Sequence, residues 1–173
     1  TGLFLLKSMA MSILHCIAGF FMWATFVIGH DCGHGTFSNF GEVNFLCGLF
    51  THGSIMVPFT PWARSHRFHH MFHNHQTKDY SFPWSHDPSF DKQGGAVARF
   101  LGRHPAITAA LYPVFGYFWY LAVPQKAGGI DGCHFLPTKK LGCRLWETVD
   151  YAELARSWIS VAATVLWTQF YAT

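Results

Sequence analysis

The chain has 173 residues, half of them apolar and 18% aromatic, and only 12% are charged, about half the usual share for a soluble domain. A formal charge of +3 without any basic run argues against nucleic acid as a partner, and low charge with high aromatic content points to a membrane protein. Twelve histidines equal the whole Lys plus Arg count, so the chain invests in imidazole where most proteins invest in fixed charge.

The chain opens at Thr1, has Lys7 followed directly by apolar sequence, and stops within the apolar run VLWTQFYAT; a fragment cut at both ends, with no secretory leader, is expected. Ala10 to Gly29 is 20 residues long with only His15 as a possible charge, enough to cross a bilayer. His15 is expected to be a neutral imidazole bonded to a neighbouring helix. The stretch GHDCGHGTFSN follows. Its His30 and His34 are four apart, so on a helix they share one face, about 6 Å apart along the axis.

Val43 to Ala63 is also uncharged, but Pro58 and Pro61 break it, and it carries Asn44, Thr51, His52 and Ser54. It is expected to dip into the membrane interface and return, or to lie along it, with His52 as an interfacial polar group. A straight crossing here would put what lies on either side of it in opposite compartments.

The polar stretch Arg64 to His104 begins with SHRFHHMFHNH, five histidines within ten residues. His66, His69 and His70 stand at i, i+3 and i+4 and share a helix face. Two ring nitrogens on one face can hold one metal ion, with the third reaching a second ion, and neutral imidazole is a common ligand of first-row transition metals. A lone histidine reads as a satisfied core or surface residue; five at helical spacings in two clusters read as a metal site. No Cys stands at zinc-finger spacing and H-E-x-x-H is absent, which leaves iron, copper and zinc open. Further along, Lys78 and Asp79 read as an exposed charged pair and His104 as a surface residue at the start of the next apolar window.

That window, Pro105 to Gln125, and the last one, Ser157 to Thr173, are uncharged, with Trp and Tyr near their edges as in interfacial belts. They are expected to form a hairpin. His134, in GCHF, is then expected across the membrane from both clusters and outside the metal site. Six Lys/Arg in Arg64 to His104 against five in Lys126 to Arg156 do not set the orientation. The five cysteines, Cys16, Cys32, Cys47, Cys133 and Cys143, form no C-x-x-C pair and read as buried free thiols in a reducing or lipid setting. The expected fold class is an all-α integral membrane protein, with transmembrane helices and interfacial helices that carry the histidine clusters on one side. A soluble protein would have to bury three long uncharged windows in a short chain.

The two clusters resemble the first two histidine boxes, H-x3-H and H-x2-H-H, of membrane fatty acyl desaturases. The resemblance is strongest to the methyl-end group, the delta-12 and omega-3 desaturases, through GHDCGHGTFSN, MVPFTPWARSHRFHH, HNHQTKDYSFPW, FGYFWYLAV and GIDGCHFLP. It runs over residues 10 to 173 and does not separate delta-12 from omega-3. It implies a single desaturase domain over 1–173, incomplete at both ends, whose third histidine box lies downstream; these residues alone would bind iron incompletely and be inactive. It implies a di-iron centre with His30, His34, His66, His69 and His70 as ligands. Asp31 would accept an imidazole N–H behind the ligands, or is a plain helix-surface residue; His73 and His75 would stand behind the ligands or touch the substrate head, or belong to a solvated loop.

Removing hydrogen from an unactivated methylene needs an oxidant that iron with dioxygen can supply and side chains cannot. Two electrons must come from outside, since no G-x-G-x-x-G is present; the family's donors are cytochrome b5 and ferredoxin. The substrate would be a membrane lipid or other acyl carrier, its chain lying in a tunnel between membrane helices. The implied location is the endoplasmic reticulum membrane with the boxes facing the cytosol, or a plastid membrane. The same scaffold could serve an acyl hydroxylase or acetylenase. A membrane haem or metal-transport protein is a different class, but haem would need histidines facing each other within the spans, whereas these clusters flank them.

Overall fold

Between Ser8 and His30 neither proline nor a fixed charge interrupts the chain. In the computed structural model this stretch is the middle of one helix, α1 (Gly2–His34), 33 residues long. The residues described are 2–73, 75, 79, 100, 103–111, 115–122, 134–135 and 151–172. All regular elements among them are helical: after α1 come α2 (Gly41–Ser54), α3 (Phe59–Met71), α4 (Pro105–Leu111), α5 (Tyr117–Ala122) and α6 (Tyr151–Ala172).

Large apolar side chains stand exposed along α1, among them Leu5, Met9, Phe20, Phe21 and Trp23. A helix apolar on every side belongs in a membrane or under other protein. Among the described residues α1 alone is long and apolar enough to cross a membrane as one straight helix. His15 is exposed on it. No neighbouring helix covers His15 among the described residues, contrary to the expected helix-to-helix bond. Cys16 is exposed, Cys32 buried and Cys47 half-buried, all three as free thiols; Cys133 and Cys143 lie outside the described residues.

Glycine closes α1. Gly35 adopts φ 72°, its N–H donates to Cys32 O at 3.0 Å, and the Thr36 N–H donates to Asp31 O at 3.0 Å. This is the paired C-terminal bonding that a left-handed residue allows, and it ends the helix at His34. The loop to α2 is clipped by Asn44, whose Nδ2 donates to Ser38 O at 2.7 Å while its Oδ1 accepts from Ser38 N–H at 2.9 Å. At the other end of α2, Met56 sits at φ 64°, and Met56 and Val57 N–H donate to Gly53 O and His52 O at 3.0 and 2.9 Å. Pro58 follows, so α2 cannot run on as a straight span. The helices α2 and α3 are long and apolar enough to cross a membrane only when taken together, and they are bent by 102° at this break.

The chain divides into two compact units, Thr1–Thr60 with Ala155–Thr173, and Pro61–Leu154. In the first, α6 meets the α2–α3 corner. The buried Ser157 hydroxyl donates to Thr60 Oγ1 at 3.1 Å and accepts from Thr60 N–H at 3.2 Å, satisfying a donor in the first turn of α3. The Ser160 hydroxyl donates to Leu49 O. His52 is fully buried, its ring 5.0 Å from Phe26 and 5.5 Å from Phe59. It is therefore a packed residue and not the interfacial polar group expected. Gly29 makes room for it: a Cβ there would collide with the His52 ring.

The second unit buries Trp62, Ala63, Ser65, Asp79, Leu121, His134 and Leu154. The described parts of the third apolar window include the helices α4 and α5, and His104 is exposed just ahead of α4 as expected. The turn of the expected hairpin lies outside the described residues.

Candidate metal centre

His30 and His34 occupy the last turn of α1, which the Gly35 cap holds in helical form. Their Nε2 atoms are 3.2 Å apart, with ring centroids at 4.5 Å. His66 and His70 repeat the arrangement on α3, with Nε2 atoms 3.1 Å apart and rings at 4.6 Å, edge to face. Two nitrogens bonded to one first-row metal at about 2.1 Å lie about 3.0 to 3.4 Å apart for angles from 90° to tetrahedral. Each pair thus has the bite of a single ion. The i, i+4 spacing sets this distance through helix pitch, and aromatic packing sets the ring planes. Trp62, one turn before His66, stacks on its ring at 4.7 Å and 17°.

Both boxes use carboxylates to set a tautomer. Asp31 Oδ1 lies 3.0 Å from His30 Nδ1, and Asp79 Oδ1 lies 2.7 Å from His69 Nδ1. An N–H donated from Nδ1 leaves the Nε2 lone pair for a metal and raises its basicity. The surroundings differ. Asp31 is half exposed, whereas the Asp79 side chain is only 1% exposed. A buried carboxylate is costly unless paired and hydrogen-bonded, so Asp79 ties His69 more firmly than Asp31 ties His30. Asp79 is therefore not the exposed charge read from the sequence; Lys78 lies outside the described residues.

His69 shares a helix face with His66 and His70 by spacing, yet its partners are different. Its Nε2 is 3.3 Å from His73 Nδ1, and His69, His73 and Asp79 form a separate group that could hold an ion. His73 is exposed and touches His69 directly. His75 is exposed and stands in neither pair; its carbonyl accepts from the Asp79 N–H at 3.1 Å.

His134 overturns the topological expectation. Its Nε2 is 2.9 Å from the Oγ of Ser65, the residue before His66, and both side chains are fully buried. His134 itself therefore lies beside the second box helix, on the same side as His66, and not apart from it as expected. The sequence carries no local sign of this contact, which links positions 69 apart. Asp79, ten residues after His69, was equally invisible to helical spacing because the chain leaves the helix in between.

The Fatty acid desaturase family model matches residues 7–173. Among curated proteins the chain is similar to a delta(12) fatty acid desaturase of Caenorhabditis elegans, 35% identical over 73% of this chain and 30% of the relative. It is similar to an endoplasmic reticulum omega-3 fatty acid desaturase of Vigna radiata var. radiata, 36% identical over 71% of this chain and 30% of the relative. It is also similar to a chloroplastic sn-2 acyl-lipid omega-3 desaturase (ferredoxin) of Helianthus annuus, 36% identical over 71% of this chain and 26% of the relative. The chain thus spans under a third of the length of these curated relatives. No solved structure matches.

Proposed function

Because the chain belongs to the fatty acid desaturase family, we propose that the full-length protein is a membrane di-iron acyl desaturase acting near the methyl end of an already unsaturated acyl chain. Dioxygen is the co-substrate, and two electrons come from an external donor. The observation that carries this reading is the pairing of ring nitrogens at 3.2 and 3.1 Å on the two box helices, each pair matched to one ion. The ligands are His30, His34, His66, His69 and His70, and further ligands come from a third box downstream.

Bound iron supplies, with dioxygen, an oxidant strong enough to take hydrogen from an unactivated methylene. The chain's own residues prepare the ground for it. Asp31 and Asp79 hold the Nδ1 protons of His30 and His69 and so aim the opposite nitrogens. Trp62 fixes the plane of His66. The exposed apolar surface of α1 supports insertion in a bilayer, which would bring the acyl chain to the boxes from the lipid phase.

The relatives' names bear on substrate, donor and place. One acts at delta-12 and others at omega-3, which supports a methyl-end reaction. A chloroplastic relative named for ferredoxin supports ferredoxin as donor, and an endoplasmic reticulum relative supports that membrane as the other place, where the donor we propose is cytochrome b5. Yeast expressing the full-length gene and fed oleate, then linoleate, tests the reading through fatty acid methyl ester analysis. A new delta-12 bond in oleate or an omega-3 bond in linoleate is expected. A hydroxy or acetylenic product would move the protein to the sister chemistry, and double bonds only near the carboxyl end would overturn the methyl-end assignment.

A further inference from the structure

The second unit contains a buried polar chain that the proposed chemistry does not use. Ser65 stands on α3 immediately before His66. Its hydroxyl is 2.8 Å from the carbonyl of Trp62, 2.9 Å from His134 Nε2 and 3.4 Å from the Tyr120 hydroxyl. A hydroxyl has one proton. Donated to the Trp62 carbonyl, it leaves the Ser65 oxygen to accept, and His134 then donates from Nε2. His134 is in turn fixed by its own backbone, whose N–H donates to Leu121 O at 2.9 Å, and by the Tyr120 ring at 4.9 Å. Leu121, Ser65 and His134 are all sealed from solvent.

The other end of this chain is the metal-binding turn. Trp62, whose carbonyl Ser65 engages, stacks on His66, and His66 pairs with His70 at 3.1 Å. A serine that bonds back to a carbonyl three residues earlier competes with the helix's own bonding and tends to bend the turn. His134 sets which way the Ser65 oxygen faces, and through it the local geometry of that turn.

Resting on the desaturase reading, we infer that His134 is a positioning residue for the second histidine box: by donating to Ser65 it fixes the Trp62–His66 turn and so the bite of the His66/His70 nitrogen pair. His134 touches no reacting atom. Burial keeps it neutral, its pKa pushed down to about 4, which suits a permanent single-proton donor.

The test is anaerobic Fe(II) titration of the purified full-length protein against a competing chelator, with helix content monitored in parallel. Partners behind metal ligands typically contribute about 10- to 100-fold in affinity. His134→Phe keeps the ring volume without the donor and should weaken Fe(II) binding about tenfold. Ser65→Ala should do the same, and the double variant should be no weaker than either single one, because both act through one bond. His134→Gln places an amide N–H where Nε2 stands and should stay within about threefold of the parent. Unchanged affinity in Ser65→Ala and His134→Phe, an equal loss in His134→Gln, or losses that multiply in the double variant would each overturn the inference. If His134→Phe does not fold, Ser65→Ala, which removes one oxygen, decides alone. A parent protein that binds no Fe(II) would instead sink the metal-centre reading itself, so the two failures are distinguishable.

Discussion

Asp31 and Asp79 hold the same atom of their histidines, and they differ in what surrounds them. Water competes for Asp31, which is half exposed, but not for Asp79, which is 1% exposed. Replacing Asp79 by Asn should therefore weaken Fe(II) binding to the full-length protein about tenfold or more, and Asp31→Asn should cost less than about threefold. Equal losses in chelator competition would mean that burial is not what separates them. His134 offers a second residue-scale test through acidity. Burial lowers its pKa from the ordinary 6.5 to about 4, with the Leu121 and Tyr120 backbone opposing that shift. The unfolded chain then binds the extra proton first as pH falls. Stability is full above about pH 6.5 and drops toward pH 4, by on the order of 3 kcal/mol at most. His134→Gln should flatten that slope relative to the parent in unfolding measured across pH 4 to 7; an unchanged slope would assign the acid sensitivity to other groups. At this scale the sequence disclosed the box histidines, because helical spacing is local. It hid Asp79, Ser65 and His134, because their partnerships are made by chain paths that leave the helix.

Two glycines near the first box act on the helix for different reasons, and magnitude tells them apart. At Gly35 an added Cβ meets nothing within 4 Å, so the whole cost of alanine is the left-handed φ of 72°. That strain is about 1 kcal/mol. At Gly29 the backbone is ordinary for a helix, but a Cβ would collide with the His52 ring and crowd Thr51 Oγ1 at 2.6 Å. His52 has little room to yield, since Phe26 and Phe59 flank it. Overpacking of this kind costs about 1 to 3 kcal/mol. Gly29→Ala should thus destabilise more than Gly35→Ala in chemical denaturation, and it should also disturb His30, which is next in sequence. The reverse order would show that α1 and α2 can separate freely at this point. The element boundaries were partly legible. Pro58 marked the end of α2, since it acts on its own backbone; Gly35, which closes α1 at φ 72°, was not read from the sequence. Nor was the positive φ of Met56, because nothing about methionine favours it and only the surrounding corner imposes it.

Taken whole, the chain had four uncharged windows by sequence, and they fare differently in space. The first and last fall within helices of 33 and 22 residues. The second breaks at its prolines, as its polar residues suggested, and of the third the described parts include the helices α4 and α5. Hydropathy reports how much apolar surface a segment has but not whether lipid or protein covers it, so length alone could not set the path of these two. Their path matters for function because the proposed centre draws on both boxes, which must then face one compartment. The His134–Ser65 bond adds that His134, which follows the third window in sequence, lies at the second box. Glycosylation acceptors inserted singly into the full-length protein turn this into a topology experiment in microsomes. One ahead of Gly2, on a polar spacer, should be modified if α1 crosses the bilayer. Acceptors between Asn39 and Val43, between Lys78 and Pro83, and between Lys126 and Gly129 should all stay unmodified. Modification of the second but not the first of these would mean that Val43 to Ala63 crosses after all, and the two boxes could not share iron. Modification of the Lys126 site alone would put the approach to His134 on the far side, where a bond to Ser65 beside His66 could not be made without burying polar chain in lipid, at several kcal/mol for each unsatisfied backbone group.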